Sequence, residues 1–295
     1  MKHPFSLFVL TVISGFVLGA CGGVDADAPK VLRFTAIPDN NKTELELKFR
    51  PLAEHLGEVL GFAVEYVPTA DYSASVEMFK NGDVQLAWFG GLTGVQARAA
   101  VSGARAIAQG HVDPKFKSYL VAHPSAGVER SDEFPVEGLR GKRFTFGSQQ
   151  STSGRLMPEY YIRAATGQSP DEFFSEVGFS GSHDKTAELV NAGTFEVGAI
   201  NFRTYDMLLE RGKISADTCR IVWTTPEYPD YNWTVHPSVE ADFGVGSIDR
   251  LQSALINLEQ PELLAAVQRE GGLIRAQNTD FEGIAEVARD LGFLR

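Results

Sequence analysis

The chain has 295 residues, of which 43% are hydrophobic and 22% are charged, and its formal net charge is −11 at pH 7. This length allows two domains with separate cores, and the composition is that of an ordinary globular protein. An acidic protein is a poor ligand for nucleic acid, because that affinity depends on positive side chains that neutralise phosphates. A small anion would likewise have to be held by local donors and not by net charge.

The N-terminus predicts a secretory signal. Residues 5–18 are almost entirely apolar but too short to cross a bilayer comfortably. The following Leu18-Gly19-Ala20-Cys21 resembles the lipobox of bacterial lipoproteins, in which cleavage precedes the cysteine and the cysteine takes lipid. We therefore predict a signal peptide at 1–20, a tether at 21–30 and a lipid anchor on Cys21 in the cell envelope. The alternative is an ordinary signal with an incidental cysteine.

Cys219 is the other of two cysteines in the chain. A lipidated Cys21 would leave Cys219 without a partner, so we expect it to be a buried structural thiol.

Strands and helices are predicted to alternate through the first half of the chain. Alternating or buried apolar runs predict strands, and near-helical apolar spacing predicts the helices between them. Pro51 lies inside the first helical pattern, so that helix is expected to start or bend there. The strands are predicted at 31–37, 62–67, 84–89 and 120–122, and the helices before Gly61, from 71 to Gly82 and from 91 through 99.

The second half repeats this rhythm and ends in a helical tail from Ser247. Such alternation predicts parallel sheets with helices on both faces, and two runs of it predict two α/β domains. Ligands bind such sheets beyond the carboxyl ends of the strands. The loops of interest are therefore 38–43, 68–72, 89–93, 147–153, 180–184 and 201–205.

A run of hydroxyl side chains marks the loop after the predicted strand 143–146. Ser151, Thr152 and Ser153 lie in the first turn of the next helix, where free N–H groups and the positive end of the helix dipole favour a small anion. The alternative is that these residues only cap the helix. One hydroxyl would suffice for capping, and Gly154 permits close backbone approach, so the pattern favours an anion site.

No motif in the chain requires catalysis. A nucleophile elbow is absent, because Ser151 stands where its first glycine would be. The six histidines are scattered without metal-ligand spacing, and no dinucleotide or Walker-type loop is present. We therefore predict no enzymatic activity, catalytic residue, metal or cofactor. An enzyme that uses His183 as a base remains an alternative.

With its Ser-Thr-Ser loop and His183, the chain resembles the substrate-binding proteins of phosphonate and phosphite ABC importers from about Val31 to the C-terminus. The resemblance implies a two-lobed type II periplasmic-binding fold, an ABC permease and ATPase as partners, and a monomer. A ligand-sensing module for a membrane-bound signalling partner would have the same fold. The most specific stretches are Asp71-Tyr72, Leu86-Ala87-Trp88-Phe89-Gly90, the segment from Phe146 through Ser151-Thr152-Ser153-Gly154 to Pro158, and Gly181-Ser182-His183.

The same resemblance implies the ligand-binding residues. In the family, the Ser-Thr-Ser loop and the histidine hold phosphoryl oxygens, and tyrosines face them from the other lobe. Binders of aminoalkylphosphonates also have carboxylates for the ammonium group, where this chain has Arg203 and Tyr231. An amine-bearing ligand is therefore disfavoured, and Arg203 could add a charged donor. The expected ligand residues are Ser151, Thr152, Ser153, His183, Tyr72, Phe89, Gly90, Arg203 and Tyr231.

Two kinds of oxyanion remain open at this point. The stretches around Pro38, Trp88 and Trp233 are similar to a subgroup described as selenate binders. Phosphate and phosphonate carry a titratable proton near neutral pH, which a pocket carboxylate can accept, whereas selenate and sulfate carry none. A carboxylate in the pocket would favour phosphorus. The nearby carboxylates are Asp206 and Asp230, for which solvent exposure is the simplest expectation.

The resemblance also suggests the lobe boundaries. We expect lobe one to comprise 31–117 and 226–295, and lobe two to comprise 118–225. The strands that cross between them are predicted near 117–123 and 220–226, and the lobes are expected to close over the ligand by a hinge there.

Overall fold

The computed structural model describes residues 30–294. The predicted signal peptide and the lipid anchor on Cys21 lie outside the described residues, as does the predicted tether up to residue 29. Within the described range, no helix has both the length and the apolar character needed to cross a membrane.

The first of two sheets has six strands in the order β11-β4-β10-β3-β1-β2. β1 pairs in parallel with β2 and β3, whereas β10 runs antiparallel to β3 and β4, and β11 antiparallel to β4. The strands are β1 Leu32–Ala36, β2 Val64–Tyr66, β3 Leu86–Phe89, β4 Arg105–Gly110, β10 Asn232–Val235 and β11 Leu273–Arg275.

The second sheet has five strands in the order β7-β6-β8-β5-β9. β6 is parallel to β7 and β8, and β5 is antiparallel to β8 and β9. The strands are β5 Ser118–Ala122, β6 Arg143–Phe146, β7 Glu176–Phe179, β8 Val197–Asn201 and β9 Arg220–Thr224. The prediction of wholly parallel sheets was wrong. β5 and β10 each enter a sheet from the other lobe and run against their neighbours, and the edge strand β11 also runs antiparallel to β4.

Helices connect most of these strands. Asp71 and Asn201 cap α2 and α8 with their side chains, and Gly61 ends α1 with a φ of 77°. Pro51 does not start α1, because the helix continues through this exposed position. The helices are α1 Lys42–Leu60, α2 Tyr72–Lys80, α3 Gly91–Ala100, α4 Val136–Leu139, α5 Met157–Thr166, α6 Pro170–Phe173, α7 His183–Asn191, α8 Phe202–Glu210, α9 Ser238–Phe243, α10 Ser247–Ile256, α11 Pro261–Leu264 and α12 Glu282–Asp290.

Each lobe is stabilised by a hydrophobic core of its own. Trp233 on β10 is fully buried at the centre of the first core, with ring centroids 5.7 Å from Phe34 and 5.3 Å from Trp88. Phe144 stacks on Phe174 in the second core, at a centroid distance of 4.3 Å. Cys219 is a buried free thiol in a third cluster beside this core, as predicted.

Two segments, 111–117 and 225–231, connect the sheets. They pair through Phe116 and Tyr228, whose N–H groups each donate to the other's carbonyl at 2.9 Å. The predicted crossings at 117–123 and 220–226 were displaced by several residues, because most of those residues pair within the second sheet as β5 and β9. The first core also includes Leu156 and Met157 of the second lobe, so the two lobes meet along the cleft as well as at this narrow connection.

Candidate functional site

The Ser-Thr-Ser loop is buried at a helix start. A π-helical turn spans Thr152–Leu156 and leads directly into α5. Ser151 is its N-cap, and the Ser151 Oγ accepts the Gly154 N–H at 2.9 Å. All three hydroxyl residues are at most 2% exposed. The loop therefore faces the inside of the molecule, as an anion site requires and a solvent-exposed cap does not.

The Thr152 hydroxyl lies where the two lobes meet. Its Oγ1 accepts the Leu92 N–H of α3 at 2.9 Å, and its own hydroxyl hydrogen can be donated to the neighbouring Asp230 carboxylate. The Ser153 carbonyl accepts the Ser118 hydroxyl at 2.7 Å, which fixes the loop against β5. The loop is thus held from both sides while its hydroxyl groups stay in the cleft.

His183 opens α7 and is 1% exposed. Its Nδ1 accepts the backbone N–H of Asn201 at 3.3 Å, so in the neutral ring Nε2 carries the hydrogen. Nε2 has no hydrogen-bond partner among residues 30–294. Burial lowers the pKa of His183 to about 3. The ring is therefore a neutral donor at physiological pH, with an N–H group that awaits an acceptor.

Asp230 is a fully buried carboxylate in the second connecting segment. Oδ1 accepts the Gly91 N–H at 2.8 Å, whereas Oδ2 has no partner in the described part of the chain. Burial raises the pKa of Asp230 to about 7, although hydrogen bonds from Gly91 and from the hydroxyls of Thr152 and Ser153 lower it. Asp230 was missed by the sequence analysis as a buried site residue. The signal was a carboxylate within the aromatic run around Trp233. Asp206, in contrast, is exposed.

Tyr72, at the start of α2 in the first lobe, is buried beside the Ser-Thr-Ser loop. It is 1% exposed, and its hydroxyl has no hydrogen-bond partner among the described residues, although Ser151 lies beside it. Burial, with Asp39 and Asp230 nearby, raises the pKa of Tyr72, so the hydroxyl stays protonated and can donate.

Two glycines leave space within this cluster. A Cβ on Gly90 would lie 3.1 Å from Thr152 Oγ1 and 3.2 Å from Asp230 Oδ1. A Cβ on Gly154 would lie 3.0 Å from both His183 Cε1 and Ser151 Oγ. The 151–153 loop therefore adjoins the unpaired atoms of Tyr72, His183 and Asp230. Buried polar atoms without partners are rare, and a small ligand with several oxygens could pair with all three.

Three other predicted ligand residues make contacts elsewhere. Phe89 is fully buried, with its ring 5.6 Å from that of Phe79. The Tyr231 hydroxyl donates to Asp39 Oδ2 at 2.8 Å and accepts from Asn201 Nδ2 at 3.2 Å. Arg203 donates to the Gln268 carbonyl and pairs with Glu270. The structure thus places Phe89 in the core and engages the polar groups of Tyr231 and Arg203 with other residues.

Comparison with known proteins identifies the family. A family model described as "ABC transporter, phosphonate, periplasmic substrate-binding protein" matches residues 34–281. The chain belongs to this family. It is therefore a periplasmic binding protein of a phosphonate/phosphite ABC transporter and not an enzyme, and a permease and an ATPase are its implied partners.

Curated relatives of this family cover most of the chain. A probable ABC transporter phosphite binding protein, PhnD1 of Prochlorococcus marinus (strain MIT 9301), is 34% identical and covers 99% of this chain and 100% of its own length. The phosphate-import protein PhnD of Mycolicibacterium smegmatis is 29% identical over 69% of this chain and 68% of its own.

Solved structures confirm the predicted two-lobed type II periplasmic-binding fold. Prochlorococcus marinus PhnD1 in complex with methylphosphonate has a TM-score of 0.85 and 37% identity, and the alignment covers 90% of this chain and 99% of that one. A binding-protein component of an ABC phosphonate transporter from Pseudomonas aeruginosa has a TM-score of 0.76 and 20% identity, with 88% and 86% of the two chains covered.

Proposed function

We propose that this phosphonate-family binding protein takes up a small phosphorus oxyanion that carries a titratable proton, such as phosphite or methylphosphonate. The single observation that carries the proposal is Asp230, a buried carboxylate beside the Ser-Thr-Ser loop with one oxygen unpaired. The ligand oxygens would be held by Ser151, Thr152, Ser153, His183 and Tyr72. Gly90 would contribute space, because any side chain there would contact Thr152 and Asp230.

The proton explains how a carboxylate can belong to an anion site. Phosphite, phosphonate and phosphate exchange a proton near neutral pH, so a single proton can be shared between Asp230 and a ligand oxygen. With sulfate or selenate, an ionised Asp230 would face an anion across a low-dielectric pocket, which costs free energy. The site therefore favours phosphorus over the alternative of selenate.

Neutral donors surround the rest of the proposed site. His183 is uncharged, and the hydroxyls and the backbone N–H groups at the helix start carry only partial charges. Such donors bind an anion mainly once water is excluded, when each hydrogen bond strengthens. This supports capture by closure of two lobes, with lobe one at 31–117 and 226–295 and lobe two at 118–225.

The relatives support the same class of ligand. Prochlorococcus marinus PhnD1 is described as a probable phosphite binder, and its structure contains methylphosphonate. Aminoethylphosphonate is expected to bind more weakly here, because Arg203 and Tyr231 stand where aminoalkylphosphonate binders have carboxylates, and neither carries a negative charge.

Calorimetric titration of the protein from Gly22 onward tests the ligand. The panel is phosphite, methylphosphonate, phosphate, aminoethylphosphonate, sulfate and selenate at pH 7. We expect the tightest binding from one of the first three, weakened about tenfold or more by Ser151→Ala or Thr152→Ala, since each change removes a buried donor. Equal or tighter binding of sulfate or selenate would overturn the proposal.

We also propose that Cys21 carries lipid and tethers a monomer to the membrane, where it delivers ligand to the permease. The lipobox-like Leu18-Gly19-Ala20-Cys21 supports this. Intact-mass measurement and detergent-phase partitioning of the full chain, compared with Cys21→Ser, test it. The expected result is a diacylated, detergent-soluble wild type and an aqueous variant. A wild type without added acyl mass would contradict the anchor.

A further inference from the structure

Arg203 connects the two lobes at a point separate from the ligand cluster. It lies in the first turn of α8, next to β8 of the second sheet. Its Nη2 atom donates to the Gln268 carbonyl at 3.2 Å and forms an ion pair with Glu270. Both partners lie in the segment between α11 and β11, which belongs to the first sheet's side of the molecule. The contact therefore spans the cleft.

Arg269, which lies between Gln268 and Glu270 in sequence, is bound to both segments that connect the lobes. Arg269 is 4% exposed and pairs with both oxygens of Asp113, at distances of 2.6 to 3.0 Å. Its guanidinium also lies over the Tyr231 ring at 4.8 Å. Asp113 belongs to the first connecting segment and Tyr231 to the second. The partners of Arg203 thus sit on a segment that is held by both connecting segments.

The backbone at Gln268 is in an unusual conformation. Its φ of 55° is the one positive value found for a non-glycine residue in the described range. Such a conformation costs free energy and persists only where the surroundings impose it, often at functional sites. Here its carbonyl accepts hydrogen bonds from two arginines, Arg203 of one lobe and Arg269 of the other lobe. The strained residue is the junction of the two contacts.

We propose that Arg203 is a positioning residue that latches the closed form and so sets how long the ligand stays bound, without touching the ligand. The inference rests on the proposed function only in that a ligand must be enclosed by the two lobes. Arg203 belongs to one lobe and its partners Gln268 and Glu270 belong to the other, so the contact requires the lobes to be together. It therefore stabilises the closed form and not the open form. The open form keeps the Arg269–Asp113 pair but loses the latch.

The latch predicts a uniform effect on different ligands. Closure is common to every ligand, so Arg203→Ala should raise the dissociation constant and the dissociation rate by the same factor for phosphite, methylphosphonate and phosphate. The expected factor is about three to ten, as for the loss of a half-exposed ion pair and one hydrogen bond. Association rates should change little. Stopped-flow kinetics and calorimetry measure both quantities.

Two further variants complete the test: Glu270→Gln removes the ion pair alone, and an arginine-to-alanine substitution outside the latch serves as the control. Glu270→Gln should have a smaller effect that shrinks at high salt, because only the ion pair is screened, and the double variant should equal Arg203→Ala alone. The control is Arg220→Ala, an arginine whose side chain donates to the Asp217 carbonyl within lobe two at 3.2 Å. It should leave the kinetics unchanged. Circular dichroism and the melting temperature confirm that each variant folds.

The outcomes separate this inference from the proposed ligand. Unequal factors for different ligands would show that Arg203 contacts the ligand, and an unchanged dissociation rate would show no latch; either result overturns the inference. If sulfate or selenate binds instead of the phosphorus oxyanions, the proposed function fails, but the uniform factor can still be measured on those ligands. A wild type that binds none of the panel would overturn both.

Discussion

Asp230 is the residue on which the proposed choice of ligand rests most directly. Its Oδ2 is unpaired, while hydroxyls of the Ser-Thr-Ser loop and the Gly91 N–H surround the rest of the carboxylate. An amide of the same shape would donate where the carboxylate accepts. The preference between protonated and fully ionised oxyanions should therefore reside in this single group.

Asp230→Asn should reverse that preference. We expect the affinity for phosphite and methylphosphonate at pH 8 to fall about tenfold or more, because the ligand proton loses its acceptor. Binding of sulfate or selenate should appear or strengthen, because a donor replaces a repelling charge. Calorimetry against the same panel measures both changes. Asp132→Asn, at an exposed position, serves as the control, and an equal loss for all oxyanions in Asp230→Asn would refute the role of the proton.

Asp230 should also control how stability depends on pH. Burial raises its pKa from 3.8 to about 7, so between these values the folded ligand-free protein holds a proton that the unfolded chain releases. Asp230 therefore lowers the free energy of unfolding as the pH rises from about 4 to about 7. Asn cannot titrate, so the stability of Asp230→Asn minus that of the wild type should grow by about 2–4 kcal/mol between pH 4.5 and pH 8.

Urea unfolding of both ligand-free proteins at the two pH values measures this difference. The lowered pKa of His183 acts in the opposite direction, since charging the buried ring destabilises the fold at low pH. That effect is common to both proteins and cancels in the comparison. A difference that does not change with pH would mean that Asp230 ionises as it would on the surface.

The position of the hydroxyl loop at a strand–helix junction could be predicted because its signal is local. Ser151, Thr152 and Ser153 follow one another at a strand–helix junction, so their environment could be inferred from neighbouring sequence. Asp230 and Arg203 have surroundings built from distant parts of the chain, such as Gly91 beside Asp230 and Glu270 beside Arg203. The aromatic run around Trp233 was the one local hint that Asp230 is buried, and no local pattern indicates the distant partners of either residue.

The element that shapes the site is the π-helical turn before α5. Its wide first turn closes through the Leu156 N–H and the Ser151 carbonyl at 3.0 Å. Such turns are uncommon and often occur at functional sites. Gly154 sits inside this turn with His183 and Ser151 on either side, so the turn and the histidine can approach each other only because the residue has no side chain.

Gly154→Ala should therefore abolish tight binding while the fold persists. The new Cβ would lie 3.0 Å from His183 Cε1 and from Ser151 Oγ, so at least one of them must shift by a few tenths of an ångström. Calorimetry should show a loss of about tenfold or more, because anion donors tolerate little misplacement. The control is Gly283→Ala in α12, where an added Cβ would have no neighbouring atom of the described residues within 4 Å outside its own helix turn.

Gly283→Ala should bind ligand normally and gain up to about 1 kcal/mol in stability from its higher helix propensity. Normal binding by Gly154→Ala would show that the turn can adjust and that close packing against His183 is not needed.

At the scale of elements, sequence periodicity predicted most helices and the strands of the αβ repeats. It gave no prediction for β4, β10 or β11, which do not follow that repeat. The direction of β5 and β10 also escaped prediction. A strand's direction in a sheet depends on which lobe the chain comes from, and this is a property of topology that no local pattern records.

At the scale of the whole molecule, the two lobes contact each other across the cleft. The backbone N–H of Leu92 donates to Thr152 Oγ1, and the backbone N–H of His183 donates to the Asp39 carbonyl at 3.0 Å. Each of these bonds joins one lobe to the other. The connecting segments share the short pairing of Phe116 with Tyr228. Two rigid cores with so narrow a connection are suited to hinge motion.

Ligand should therefore compact the protein. We expect the radius of gyration from small-angle X-ray scattering to decrease when phosphite or methylphosphonate is added, since ligand contacts favour the closed form. Sulfate, if it does not bind, is the control and should leave the scattering unchanged. An identical radius with and without a bound ligand would show that the lobes do not move apart in solution.

The buried acid at the hinge has a consequence for release. In the proposed complex, Asp230 and the ligand share one hydrogen ion while the cleft is closed. Once the lobes part and water reaches the carboxylate, burial no longer raises the pKa of Asp230, so its hydrogen ion passes to the ligand oxygen or to water. Opening of the cleft would therefore be coupled to proton transfer, and ligand release should depend on pH near the pKa of the ligand.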